Sequence, residues 1–338
     1  MKTIYIVTGA MGHLGNTIVK ELLANGETVR ALALSNDKTL SLDANENLSI
    51  FKGDVCDKSS LEPLFCNAAN DKLVCIHSAG IVSIASHTSA RLREVNVRGT
   101  QNIIDLCTRY CVSKLVYVSS VHAITEKPND EMIFETTSFN PDEVTGGYAK
   151  TKAEATRRVL LAAANGLNAV VVHPSGIIGP GDYGQAHLTQ LIMDYLDGRL
   201  TACVKGAYDF VDVRDVAQGC IAAANVGKSG DCYILSGHRC SVKDLLDILS
   251  TVSGRKPIKT MLPLWFANFT APLAEKYYNL RKQPPLYTAY SLYTLESNSN
   301  FSHEKATADL GYQPRELSKT LDDTCSWLFR HNRLKKHR

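Results

Sequence analysis

Thr8-Gly9-Ala10-Met11-Gly12-His13-Leu14-Gly15 follows a short apolar run that begins at Thr3 and leads into an amphipathic segment from Asn16 to Asn25. Its glycines are spaced GxxGxxG between a strand pattern and a helix pattern. In that context the first glycine permits a tight turn, the second lets the backbone approach a phosphate, and the third lets helix pack closely on strand. The opening turn of the helix presents N–H groups without partners and the positive end of its dipole. Thr8, Gly9, Gly12, His13, Leu14 and Gly15 are therefore expected to cradle the pyrophosphate of a dinucleotide.

Outward from this loop, the strand-like runs Thr3–Thr8, Thr28–Ala33, Leu48–Lys52, Leu73–His77, Lys114–Ser119 and Ala169–His173 alternate with helical patterns such as Asn16–Asn25 and Ala90–Tyr110. Near-continuous apolar strands separated by helices predict a parallel sheet covered on both faces. The expected fold is α/β, a doubly wound parallel sheet of the Rossmann type with six or seven strands. After Pro174 the texture changes, with Gly176, Gly179, Pro180, Gly181 and Gly184 close together. The expected organisation is a dinucleotide-binding domain over 1–175, to which 207–237 returns. A smaller mixed C-terminal substrate lobe is expected from 176–206 and 238–330, and a basic tail over 331–338.

Composition narrows the function classes. With 44% hydrophobic and 21% charged residues the chain can bury a full core, and its 37 basic against 34 acidic residues leave a net charge of only +3. That balance argues against nucleic acid and anionic membrane as partners. The ten cysteines are scattered without a CxxC pair. They read as reduced thiols in a cytoplasmic protein without structural metal, with Cys107 and Cys111 on one helix face. The first apolar run is too short for a signal sequence, and no stretch reaches the roughly 20 residues of a membrane span. Leu262 to Ala274 comes nearest, and it reads as a core helix rather than a surface-seeking one.

At the adenosine end, Leu34 and Ser35 occupy the tip of the second strand, with Lys38 shortly after and no carboxylate at the tip. An acid there reads the ribose of NAD and a basic group the 2′-phosphate of NADP. The balance falls to NADP, with NAD the alternative. Asp54 and Val55 follow the third strand and are expected at the adenine, although a turn aspartate has the same local pattern. Ser78, Ala79 and Gly80 end the fourth strand with small residues against which a dinucleotide can lie.

Tyr148 and Lys152 are four apart in a helical stretch and share one face. A neighbouring ammonium favours phenolate, so a lowered pKa and acid/base work by Tyr148 are expected. Ser119 and Ser120 end the fifth strand at its carboxyl edge, where ligands sit in such sheets. Ser120 is expected beside Tyr148, on a substrate oxygen. Asn96 precedes that strand and is expected either to hold a main-chain bend or to order a water near the cofactor.

Together these residues resemble the extended branch of the short-chain dehydrogenase/reductase superfamily. The matches are the TGxxGxxG of 8–15, Gly53-Asp54, Asn96 with Gly99-Thr100, Ser119-Ser120, Tyr148 with Lys152, His173 to Pro180, Phe210 to Ala217, and Phe301 to Pro314. Within that branch the chain is similar to NAD-dependent epimerase/dehydratase-family proteins of the dihydroflavonol-reductase-like group. The resemblance implies hydride transfer between a secondary alcohol and a ketone, with Tyr148, Lys152 and Ser120 catalytic and NADP or NAD as cofactor. Ser119 and Pro174 would lie at the cofactor, and Lys152 at its nicotinamide ribose. A homodimer through two helices of the sheet domain is also implied. Tyr208 stands where sugar-nucleotide enzymes carry a diphosphate-binding arginine, which counts against a nucleotide-sugar 4-epimerase. A non-catalytic NADP-binding redox regulator is disfavoured by the retained Tyr148 and Lys152. The aromatics Trp265, Phe266, Tyr277, Tyr278, Tyr287, Tyr290 and Tyr293 suit a fairly apolar small-molecule substrate.

Overall fold

The six apolar runs become six adjacent parallel strands. The computed structural model describes residues 2–37, 42–66, 71–84, 89–129, 131–184, 186–270 and 288–334. Strands β1 (Thr3–Thr8), β2 (Thr28–Ala33), β3 (Leu48–Lys52), β4 (Lys72–His77), β5 (Lys114–Val118) and β6 (Ala169–Pro174) are joined by β10 (Cys232–Leu235). Their order is β10-β6-β5-β4-β1-β2-β3, every pairing parallel. The chain runs from β1 out to β3 and then crosses back to β4 on the other side of β1. The carboxyl ends of β1 and β4 therefore flank the crevice where such sheets take ligands, with Thr8 opposite His77.

Helices cover both faces, which is why the central strands are apolar throughout rather than alternating. On one face α2 (Lys58–Phe65), α4 (Thr100–Arg109) and α5 (Gly147–Ala164) enclose Ile6, Phe65, Ile103, Leu115 and Val171. On the other, α1 (His13–Ala24) and α7 (Val213–Val226) enclose Val7, Ile18, Leu22, Val116 and Val216. The helical pattern read over Ala90–Tyr110 is a short helix, α3 (Ala90–Arg93), a π turn over Glu94–Gly99, and α4. Helix α4 stops at Arg109 and Cys111 turns outward with φ +49°. Cys107 is buried and Cys111 exposed, so the two do not share a face.

The C-terminal part adds a mixed sheet of β7 (Gly176–Ile178), β9 (Ala207–Asp212) and β11 (His238–Ser241). Residues 207–212 pair there and not in the large sheet, which the chain rejoins through α7 and β10. Helices α6 (His187–Leu196), α8 (Val242–Ser253) and α12 (Leu317–Arg330) pack a third core around Ile192, Leu246, Leu321 and Leu328. A two-stranded pair, β8 (Ala202–Val204) with β12 (Thr260–Leu262), leads into helix α9 at residues 264–270. Helices α10 (Ala289–Glu296) and α11 (Glu304–Leu310) follow. The expected frayed tail begins docked, with Arg333 over the Tyr183 ring; residues 335–338 lie outside the described residues.

Candidate active site

Backbone packs on backbone at the phosphate loop. Gly9 has φ +69°, and a Cβ there would stand 2.8 Å from Ala79 Cα. A Cβ on Gly15 would stand 2.1 Å from the Gly9 carbonyl oxygen, so this glycine serves the loop's own closure and not only helix-on-strand packing. Gly12 differs: it is exposed, and a Cβ would meet only the Gly9 oxygen at 3.3 Å. It caps α1 without a side-chain hydrogen bond, and the first intrahelical bond runs from Asn16 N–H to its carbonyl. The N–H groups of His13, Leu14 and Gly15 thus have no intrahelical acceptor. An open glycine beneath an uncapped helix N-terminus fits a pyrophosphate. The Leu14 side chain lies in the core, leaving only its N–H to the loop. His13 bonds the Pro180 carbonyl at 3.1 Å, tying the loop to the segment after β7, and burial lowers its pKa.

At the adenosine end, Asp54 Oδ1 accepts from Cys56 N–H at 2.9 Å and Oδ2 from Arg91 at 2.9 Å. Burial pushes its carboxyl up, but these donors outweigh it and hold it low. Val55 is buried beneath Gly99, and its carbonyl accepts from Asn102. Leu34 and Ser35 are exposed at the tip of β2, and Lys52 from β3 donates to the Leu34 carbonyl at 3.2 Å. Lys38 lies outside the described residues. Arg91 and Lys52 escape a sequence reading because each comes from an element other than β2.

The residues expected to be catalytic converge at the carboxyl end of β5. Tyr148 is the second residue of α5, and its phenol lies near Ser120, whose hydroxyl favours the phenolate. Lys152, one turn on, is buried and donates to the Val118 carbonyl at 2.7 Å, its ammonium 5.1 Å from the Tyr117 ring centroid. Burial pushes Tyr148 up to about 12, against the opposing influence of Ser120, and pushes Lys152 down to about 7. The expected lowering of the phenol is therefore not found. Lys152 is turned to the strand carbonyl, burial dominates the phenol, and Tyr148 holds its proton at neutral pH. A Cβ on Gly80 would lie 3.4 Å from Lys152 Nζ and 3.3 Å from Asn96 Oδ1, so this glycine leaves open the floor beside the catalytic cation.

A hydrogen-bonded chain joins the two halves of the site. Ala79 N–H donates to Thr8 Oγ1, and Thr8 meets His77 Nδ1 at 2.7 Å. His77 Nε2 meets Thr100 Oγ1 at 3.1 Å, and Thr100 donates to the Asn96 carbonyl. Because the Thr100 proton is spent, His77 donates from Nε2 and accepts at Nδ1, the neutral form that burial enforces by lowering its pKa to about 3. Asn96 sits in the π turn, exchanges two hydrogen bonds with Ile81 and donates to Thr151, which donates to the Tyr148 carbonyl. Asn96 thus holds a main-chain bend, as π turns at functional sites do. Ser119, expected at the cofactor, turns its hydroxyl onto Thr156 at 2.6 Å inside the sheet–helix interface. It is part of the frame. Ser78 donates to the Thr8 carbonyl, and Pro174 is buried at the end of β6 opposite Leu235.

Three rings missed as a group surround Tyr148. His122 stands edge-on to it at 6.1 Å and stacks on Tyr208, whose hydroxyl meets His122 Nε2 at 2.7 Å. Burial lowers His122 to about 4, so it is neutral. Tyr290 on α10 lies 6.2 Å from His122, its hydroxyl buried without a partner among the described residues. Gly146, at φ +95°, makes room for that ring, since a Cβ would come within 2.1 Å of it. The adjoining pocket has mixed walls, with Val121, Ile124, Ile133, Val144 and Phe301 beside Glu126, Thr145, Ser297 and Asn298. His173 donates from Nδ1 to the Ser120 carbonyl and stacks on Phe139 at 5.2 Å, fixing the strand end.

Asp209, between Tyr208 and Phe210, accepts from Ser175 at 2.5 Å and from Gly237 N–H at 2.7 Å. Burial pushes its carboxyl up to about 6. A folded-state pKa above the ordinary value means stability is fully present below about 4 and lost as pH rises through about 6. Urea unfolding of wild type and Asp209→Asn from pH 4 to 8 is expected to show this. The variant's stability should gain on wild type by about 3 kcal/mol over that range; parallel curves would show that Asp209 does not titrate there.

A doubly wound sheet with an open phosphate loop and a buried Tyr/Lys/Ser group defines an NAD(P)-dependent enzyme of the extended short-chain dehydrogenase/reductase class. Residues 6–231 match the 3-beta hydroxysteroid dehydrogenase/isomerase family, and the chain belongs to it. It is 30% identical to sterol demethylase protein B of Methylococcus capsulatus over 95% of this chain and 97% of that protein. It is 29% identical to a putative dihydroflavonol 4-reductase of Synechocystis over 99% and 97%. Among solved structures, gox2253 matches with a TM-score of 0.83 at 29% identity over 99% of each chain. No helix among the described residues is long and apolar enough to cross a membrane.

Proposed function

We propose that the protein interconverts a secondary alcohol and a ketone, or reduces an aldehyde, on a fairly apolar small molecule with NADP or NAD. The observation that carries this reading is the convergence of Tyr148, Ser120 and buried Lys152 beside a pocket walled in part by Val121, Ile124 and Phe301. When bound, the nicotinamide supplies or accepts the hydride. Tyr148 holds its proton at neutral pH and delivers it to the oxygen of a carbonyl substrate; in the reverse direction it receives the alcohol proton. Ser120 orients that oxygen, and Lys152 lies where it reaches the ribose hydroxyls. Thr8, Gly9, Gly12, His13, Leu14 and Gly15 form the pyrophosphate side, while Ser78, Ala79 and Gly80 floor the crevice. Asp54 and Val55 take the adenine, and Pro174 closes the nicotinamide side.

Residues 1–175 with 213–237 act as the cofactor part, and 176–212 with 238–330 as the substrate part. Tyr208, held by neutral His122, offers no cation to a sugar-nucleotide diphosphate. The names of the sterol and dihydroflavonol relatives agree with an apolar, ring-containing substrate.

Oxidation of NADPH and NADH is measured against aromatic aldehydes, flavanonols and steroid ketones, and UDP-sugars are incubated with NAD and their products identified by chromatography. Turnover on an apolar carbonyl is expected, and the faster nucleotide identifies the cofactor. Conversion of a UDP-sugar alone overturns the reading in favour of an epimerase; tight nucleotide binding without turnover overturns it in favour of a regulator.

A further inference from the structure

Helix α9 is inverted relative to a core helix. Ala267 is buried and Leu264 half-buried, packed with Val204 and Leu292. Trp265, Phe266 and Phe269 lie on the opposite face at helical spacing, with exposures of 72%, 41% and 72%. Met261, just before the helix, is 48% exposed. The expectation of a core helix therefore fails over residues 264–270, whose largest side chains face outward; residues 271–274 of that stretch lie outside the described residues. Periodicity assigns residues to a shared face, and here the face packed on the protein is the one with the small residue.

Basic groups border the patch. Arg255, Lys256 and Lys259 are exposed just before β12. Lys205 follows Val204, which pairs with Leu262, so this exposed ammonium stands level with Pro263 at the start of α9. None of the four forms an ion pair among the described residues. Exposed cations leading into the helix that carries exposed tryptophan and phenylalanine match the anionic headgroups and upper acyl region of a bilayer. A second copy of the chain is a poorer occupant. A two-fold contact would set these cations against their own copies. At 150–250 Å² per aromatic side chain the three rings expose roughly 400 Å², well short of the roughly 800 Å² each partner commonly buries.

We infer that α9 and its basic border dock the protein peripherally on anionic lipid. The small net charge and the lack of a spanning helix among the described residues bear on long-range attraction and on insertion. A monotopic aromatic face needs neither. The underside of α9 touches Leu292, two residues from Tyr290 in the active-site wall. Docking thus places the substrate pocket near the bilayer surface. This inference stands apart from the choice of substrate, because it is read without one.

The test uses the full chain with vesicles of phosphatidylcholine mixed with phosphatidylglycerol, and of phosphatidylcholine alone. Wild type is expected to float with the mixed vesicles, less with phosphatidylcholine alone or at high salt. Of the two tryptophans, Trp327 is buried, so a vesicle-dependent blue shift of emission reports Trp265. Trp265→Ser with Phe269→Ser is expected to weaken vesicle partitioning about tenfold or more, with unchanged thermal midpoint and nucleotide affinity. Wild type remaining unbound to mixed vesicles overturns the inference. So does a lipid-free dimer that the double variant converts to monomer, which would assign the patch to a second copy.

Discussion

Tyr148→Phe is expected to leave a folded, nucleotide-binding protein whose turnover is lower by roughly 100- to 10,000-fold, the range for losing a positioned general acid. The ring stays: Phe keeps the edge contact with His122 and the packing at the start of α5. What disappears is one O–H, close to Ser120 and pushed up to about 12 by burial. A phenol at that value carries its proton across the working pH range, so it can donate to a carbonyl oxygen without first being charged. Lys152 cannot replace it, because its ammonium is turned onto the Val118 carbonyl. Rates at saturating substrate, nucleotide affinity by fluorescence and the thermal midpoint are measured together. A rate within tenfold of wild type, with affinity and stability intact, would show that another group supplies the proton.

Gly15→Ala is expected to cost about 3 kcal/mol of stability, the upper part of the usual overpacking range, and to abolish nucleotide binding. The added methyl would stand 2.1 Å from the Gly9 oxygen, 2.6 Å from its carbonyl carbon and 2.9 Å from Ser78 Oγ. Two of those atoms are backbone, so relief requires α1 to move off the loop. Gly12→Ala is the contrasting case. Its methyl meets only the Gly9 oxygen at 3.3 Å, so stability changes within about 0.5 kcal/mol while nucleotide affinity falls about tenfold or more. Urea unfolding and nucleotide titration of both variants check this. Equal loss of stability in the two would mean that the loop is not closed by Gly15.

Legibility in the sequence followed the range of the interaction. Strands β1, β2 and β3 lie over Thr3–Thr8, Thr28–Ala33 and Leu48–Lys52, as their apolar runs indicated. A strand buried on both faces, as β1 is, must be apolar along its whole length, whereas β3 at the sheet edge is largely exposed and shows only a short β-branched and aromatic run. The four-residue spacing of Tyr148 and Lys152 likewise placed them on one helix face. Ser119 was misread because two consecutive strand residues point to opposite sides, and the sequence does not say which side holds Thr156. The effect of Lys152 on Tyr148 was misjudged for a related reason: burial, set by the whole lobe, outweighs a neighbour read from spacing.

By itself, the sequence determined the doubly wound sheet, the open phosphate loop and the Tyr148, Lys152 and Ser120 group. Each is written in local periodicity or in a short motif at a strand end. Only the tertiary structure decided which hydroxyls and carbonyls those residues meet, as in the chain from Thr8 through His77, Thr100, Asn96 and Thr151 to Tyr148. It also decided that Tyr208 and Tyr290 come from distant segments to frame His122, and that the aromatic face of α9 looks outward. The physical reason is the same in each case. Chain geometry sets which side chains share a face, whereas burial and hydrogen-bond partners depend on what another part of the chain brings against that face.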